Sequence, residues 1–177
     1  MNLADMKIIL ASQSPRRIEL LKQITTNFEV VPSPVAETID PNLTPSENAI
    51  ALALKKAQWT INQRNDCLVI GADTIVVLDG EIIGKPTDKK NAFNILKRLG
   101  GREHEVITGV AVINGGTFME ASVSTVAFKD LRDAEILRYI DTGEPMDKAG
   151  AYAIQGEGAF MVRGYKGSYT NIIGFPM

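Results

Sequence analysis

Residues Cys67–Ala72, CLVIGA, are a near-continuous apolar run that stops at Asp73. A half-exposed strand alternates apolar and polar side chains, so a short run without alternation reads as a strand covered on both faces. Such a strand needs helices on either side of its sheet, and the chain supplies them. Lys7–Ala11 reads as a first strand; Ser14 is placed to cap the next helix, with Pro15 at its first position and Ile18, Leu20 and Leu21 facing the core. Phe28–Val31 is a second short strand, followed by a proline-rich loop from Pro32 to Pro41. Thr44-Pro45-Ser46-Glu47 is a capping box, and Ala49, Leu52, Ala53, Lys56, Ala57 and Trp59 carry its helix to about Asn62.

Beyond Asp73, Ile75–Leu78 and Glu81–Ile83 flank Asp79-Gly80, a dipeptide suited to a tight hairpin turn. Asp88–Leu99 predicts a third helix, and Glu105–Ile113 and Thr117–Phe128 two long strands around Asn114-Gly115-Gly116. A fourth helix, Asp133–Asp141, closes at Gly143, and Ala151–Ile154, Ala159–Val162 and Tyr169–Ile173 read as strands. Helices alternating with strands early, and strand pairs late, predict an α/β fold: a mixed sheet flanked by helices, with two lobes around a cleft, in a single domain over residues 1–177. No internal repeat is visible.

Charge limits the partners. A net charge of −2 with 19 Lys and Arg against 21 Asp and Glu does not suit a nucleic-acid binder, whose affinity comes from releasing counterions with many cations. Any anion site is therefore local. No window approaches 18 consecutive apolar residues and the opening MNLADMK has no cationic-then-apolar pattern, so a soluble, cytoplasmic protein without a membrane partner is expected. The one cysteine, Cys67, excludes an internal disulfide and reads as a small core residue.

Cations gather where a helix begins. Ser12-Gln13-Ser14-Pro15-Arg16-Arg17 follows a strand, and a helix N-terminus presents unpaired N–H groups and about half a positive charge. The turn is either an anion site strengthened by arginine donors or a solvated first turn. Asp73, at the carboxyl end of the apolar run, either holds Mg²⁺ or orients water, or else caps a helix or turn. Glu37 is either a second oxygen ligand or a solvated loop residue. Gly80-Glu81-Ile82-Ile83-Gly84-Lys85-Pro86 is not a phosphate-binding P-loop: it has three residues between the glycines and proline where Ser or Thr would bind Mg²⁺. Lys85 either neutralises phosphate or ends a hairpin. The only histidine, His104, lies among charged residues and is expected at the surface, so no Ser-His-Asp triad is available.

Taken in order, LASQSPRR, Lys56-Ala57, GADT, GKP, DKAGAYAIQG and the final GFP resemble the Maf family of nucleoside triphosphate pyrophosphatases, once called septum-formation inhibitors. The resemblance implies a fold related to inosine triphosphate pyrophosphatases, a divalent metal (Mg²⁺, Mn²⁺ or Co²⁺) and usually a homodimer. The implied reaction converts a nucleoside triphosphate to monophosphate and pyrophosphate. By position, Asp73 matches the general base and, with Glu37, the metal side; Ser12, Arg17, Lys56 and Lys85 match phosphate-binding residues. Arg16, Thr74 and Gln155 match positions tied to base choice and are similar to the branch acting on dTTP and UTP. The rival expectation is a non-catalytic nucleotide-binding regulator of cell division.

Three departures from the family pattern stand out. Ala36 occupies a position where an acidic residue often precedes Glu37, which weakens the expected metal affinity. Ala153 replaces a glycine common in AYGIQG, and the sequence ends at Met177 where family chains usually continue into a last helix. An apolar groove left uncovered there is expected to lower stability or alter association.

Overall fold

The computed structural model describes residues 6–64 and 66–177. Its strands are β1 (Lys7–Leu10), β2 (Phe28–Val30), β3 (Cys67–Leu78), β4 (Glu81–Ile83), β5 (Glu103–Ile113), β6 (Thr117–Phe128) and β7 (Val162–Lys166). The helices are α1 (Pro15–Lys22), α2 (Pro45–Ile61), α3 (Lys89–Leu99), α4 (Asp133–Asp141) and α5 (Tyr169–Ile173). Strand order is β2-β1-β3-β5-β6-β7, with β4 paired to β3. The sheet is mixed: β1 runs parallel to β2 and β3, while β3–β4 and β6–β7 are antiparallel.

The chain divides into two compact units, one formed by residues up to Asp73, Thr108–Ser122 and Gly174–Met177, the other by Thr74–Ile107 and Val123–Ile173. The first unit is cored by Ile9, Ala11, Ala53, Ala57, Cys67, Val69 and Ala111, so Cys67 is the core residue expected. Its helix α2 starts as its sequence dictates: Thr44 Oγ1 accepts from Glu47 N at 3.3 Å, and the Glu47 carboxylate accepts from Thr44 N at 2.7 Å. Ala49, Ala53 and Ala57 recur every four residues and are fully buried. They lie against glycines at backbone distance. A Cβ on Gly71 would stand 2.2 Å from Ala53 O, and one on Gly109 2.3 Å from Ala49 O. Small residues on both sides let α2 approach more closely than larger side chains permit.

In the second unit, α3 buries Ala92, Ile95, Leu96 and Leu99, and α4 buries Ile136, Tyr139 and Ile140. The Asp79-Gly80 turn forms as predicted, with φ of 51° and 81°.

Three expectations are corrected. β3 does not stop at Asp73 but runs to Leu78, because Ile75–Leu78 prolong the buried run; Asp73 is a mid-strand residue. The C-terminal region holds one strand, Val162–Lys166, instead of three. Gly150, Ala151 and Gly156 take φ of 69°, 56° and 103°, which breaks extended backbone, and Ser168 Oγ accepts from Asn171 N at 3.2 Å to open α5. His104 is buried, because strand alternation turns it inward while Glu103 and Glu105 stay exposed. Among the described residues, no helix is long and apolar enough to cross a membrane.

Candidate active site

Parallel register builds the site. Leu10, ending β1, pairs with Ile70, and Ala11 N donates to Ile70 O at 2.8 Å, so the turn bearing Ser12 leaves the sheet three residues before Asp73 in the neighbouring strand. Helix α1 then begins at Pro15 without a side-chain cap; Ser14 occupies the cap position, but its N–H donates to Ser12 Oγ at 3.3 Å.

Arg17 is buried and held at two points. Its Nε donates to Gly174 O at 2.8 Å and its Nη1 to Ser12 Oγ at 3.2 Å. Ser12 Oγ thus accepts two hydrogen bonds and keeps its own hydrogen to donate. Burial pulls the guanidinium below its ordinary pKa, and the Asp73 and Glu37 carboxylates oppose that pull. It remains a cation.

Opposite charge meets it from Asp73 in β3 and from Glu37 in the loop before α2, and Lys56 of α2 bridges the two carboxylates. Lys56 Nζ donates to Asp73 Oδ1 at 2.5 Å and to Glu37 Oε1 at 2.7 Å. The Lys56 and Asp73 side chains are each 8% exposed, the Glu37 side chain 39%. The close seat of α2 on Gly71 explains the reach, since Lys56 adjoins Ala57 and Asp73 lies two residues past Gly71. Burial lifts the Asp73 carboxyl above the usual carboxylate range, against the lowering influence of Lys56 and then Arg17.

Asn48 is a residue sequence reading passed over. It is 2% exposed; its Nδ2 donates to the carbonyls of Asp40, Leu43 and Thr44, and its Oδ1 accepts from Asp40 N. These bonds tie the end of the loop that carries Glu37 to α2. No motif announces an asparagine of this kind.

Ser12, Arg17, Glu37, Lys56 and Asp73 are therefore brought together in the first unit. Arg16 sits beside Arg17 half-buried, and its Nε is enclosed without a hydrogen-bond partner. Thr74, half-buried in β3, and Lys85 and Gln155, both exposed, belong to the second unit. Ala153 does not adopt a positive φ and donates its N–H to Tyr139 Oη at 3.3 Å, so its backbone accepts a Cβ where the family pattern has glycine.

Two carboxylates focused on one cation are hard oxygen donors of the kind Mg²⁺ and Mn²⁺ prefer. Lys56 Nζ stands where such an ion would sit, which shows that the position accepts positive charge. Among the described residues no group of three or more His, Cys, Asp or Glu is placed to hold a metal, and Glu37 and Asp73 are the two carboxylates this cluster could offer an ion.

Arg17 from the first turn of α1, Lys56 from α2 and Asp73 from β3 thus form a buried charged cluster beside a mixed sheet. The model of the Maf-like proteins matches residues 7–177, and the chain belongs to that family. Its relatives include the dTTP/UTP pyrophosphatases of Caldicellulosiruptor saccharolyticus, 48% identical over 97% of this chain and 89% of the relative, and of Geobacter metallireducens, 49% identical over 97% and 91%. That of Dictyoglomus turgidum is 49% identical over 97% and 91%. Among solved structures, the Ham1 protein of Staphylococcus aureus aligns with a TM-score of 0.49 and 21% identity over 70% of this chain and 72% of that one.

Proposed function

We propose that this protein hydrolyses dTTP and UTP to the nucleoside monophosphate and pyrophosphate. The observation that carries this reading is the buried Arg17–Asp73–Lys56 cluster, which pairs phosphate donors with a carboxylate whose proton affinity is raised by burial. Relatives at 46–49% identity that bear the name dTTP/UTP pyrophosphatase support the substrate choice.

Water supplies the oxygen that attacks the α-phosphorus, the bond to the bridging oxygen breaks, and pyrophosphate leaves with that oxygen. Arg17 and the Ser12 hydroxyl offer preorganised donors to phosphate oxygens and Lys56 a movable one, and together they offset the water a triphosphate loses on binding. Asp73 takes the proton of the attacking water; a carboxyl at its ordinary pKa is a weak base at neutral pH, and burial moves Asp73 in the useful direction. Glu37 and Asp73 would hold the divalent metal, which when bound neutralises phosphate charge as a Lewis acid. We assign phosphate neutralisation also to Lys85, and base choice to Arg16, Thr74 and Gln155. The Gln155 amide has a donor and an acceptor that suit the O4/N3–H edge shared by thymine and uracil and reversed in cytosine.

Pyrophosphate release from a nucleotide panel, in Mg²⁺, Mn²⁺ and Co²⁺, tests the reading. dTTP and UTP should lead, CTP should trail, and Gln155→Glu should reorder the panel. Nucleotide binding without turnover in all three metals would overturn the enzymatic reading in favour of a nucleotide-binding regulator.

A further inference from the structure

The Glu37 and Asp73 carboxylates point at one position, and the protein's own cation already occupies it. Lys56 Nζ lies 2.7 Å from Glu37 Oε1 and 2.5 Å from Asp73 Oδ1. A divalent metal seated between these same two oxygens would stand against the ammonium, and two cations that close repel. The ammonium and a metal therefore compete for the carboxylates.

The swap has a direction. Lys56 is 7% exposed, and moving its ammonium off both partners without a new anion would strand a buried charge. A polyphosphate removes that obstacle, because its oxygens can receive the ammonium as the carboxylates take the metal. Lysine suits the movement: its charge rides on a flexible four-carbon stem. Arg17 does not, being pinned to Gly174 O and Ser12 Oγ.

We propose that Lys56 gates the metal site, so that the nucleotide-free protein binds a divalent cation weakly and the cation enters together with the polyphosphate that draws Lys56 away. The inference rests on the nucleotide reading only for the identity of the incoming anion. Competition between Lys56 and the metal concerns the free protein.

The test is a Mn²⁺ titration of the nucleotide-free full chain, read from the electron paramagnetic resonance signal of unbound hexaaquo Mn²⁺. The wild type should bind in the millimolar range. Lys56→Met and Lys56→Gln should bind at least about tenfold more tightly, since a positive charge beside two carboxylates has been removed, and adding Glu37→Gln to Lys56→Met should cancel the gain. Micromolar binding by the wild type overturns the proposal without recourse to any variant. So does a folded Lys56→Met or Lys56→Gln protein that binds Mn²⁺ no more tightly. Pyrophosphate release from dTTP, run on the same wild-type preparation, separates the two failures: the expected Mn²⁺ pattern without turnover removes the pyrophosphatase and keeps the gate, whereas turnover with no Lys56 effect on Mn²⁺ does the reverse.

Discussion

In the first compact unit Arg17, Lys56 and Asp73 are buried together as charged groups; in the second His104 and Tyr152 are equally buried and stay neutral. Burial acts on both sets in the same sense, against charge. It raises Asp73, lowers Arg17, raises Tyr152, and takes His104 down to about 4. The two sets differ in what opposes it. Asp73 has a lysine at 2.5 Å and Arg17 close by, whereas His104 has a hydroxyl at 2.8 Å from Nε2 and the edges of Phe128 and Tyr152 around its ring. Buried charge survives only where opposite charge compensates it, and this chain keeps such compensation where we place the chemistry.

The most severe way to break the contrast is Asp73→Asn. It keeps the shape of the side chain and removes its charge and its basicity, so turnover should fall by at least about 10³ while far-ultraviolet circular dichroism is unchanged. A variant with near-normal pyrophosphate release removes Asp73 from the reaction.

The neutral cluster should show itself in the pH dependence of stability. The folded pKa of His104 lies at about 4, below the ordinary 6.5, so between these values the unfolded chain binds the extra proton. Stability from this site is therefore full above about pH 6.5 and is lost as pH falls toward 4, by about 3 kcal/mol in all. Asp73, with its pKa raised, contributes the opposite slope in acid. Urea unfolding of wild type and His104→Gln at pH 7, 6, 5 and 4.5 isolates the histidine, since glutamine can still bond Tyr152 Oη; parallel pH profiles would refute the assignment.

A smaller effect tests how the charged cluster is assembled. Gly71→Ala places a methyl group against Ala53 O and should lower stability by about 2 kcal/mol in urea melts. Because Lys56 rides on the same helix, turnover should fall even where the protein remains folded. Unchanged stability would mean that α2 does not need the glycine.

Reading the chain alone recovered α2, α3, α4 and the Asp79-Gly80 hairpin, because capping residues, apolar periodicity and turn chemistry are written locally. It failed at 151–173, where Gly150, Ala151 and Gly156 interrupt apolar stretches with left-handed or otherwise positive φ values that composition does not reveal. His104 was misread for a related reason. Its charged neighbours suggested a solvated segment, but on a strand they point away from it.

For the site, motif order named Ser12, Arg17, Lys56 and Asp73, and the loop residue Glu37, but not their bonds. Which oxygens Lys56 bridges and that Gly174 anchors Arg17 across 157 positions are long-range facts, and that Asn48 secures the Glu37 loop is a shorter-range one that no motif marks. Sequence by itself determined the elements from α1 to α4 and the residue chemistry available, since both follow from local propensity and functional groups. Tertiary structure alone decided which charges are buried and against what. Desolvation and partner distance set the state of a charged group, and both depend on segments far apart in the chain.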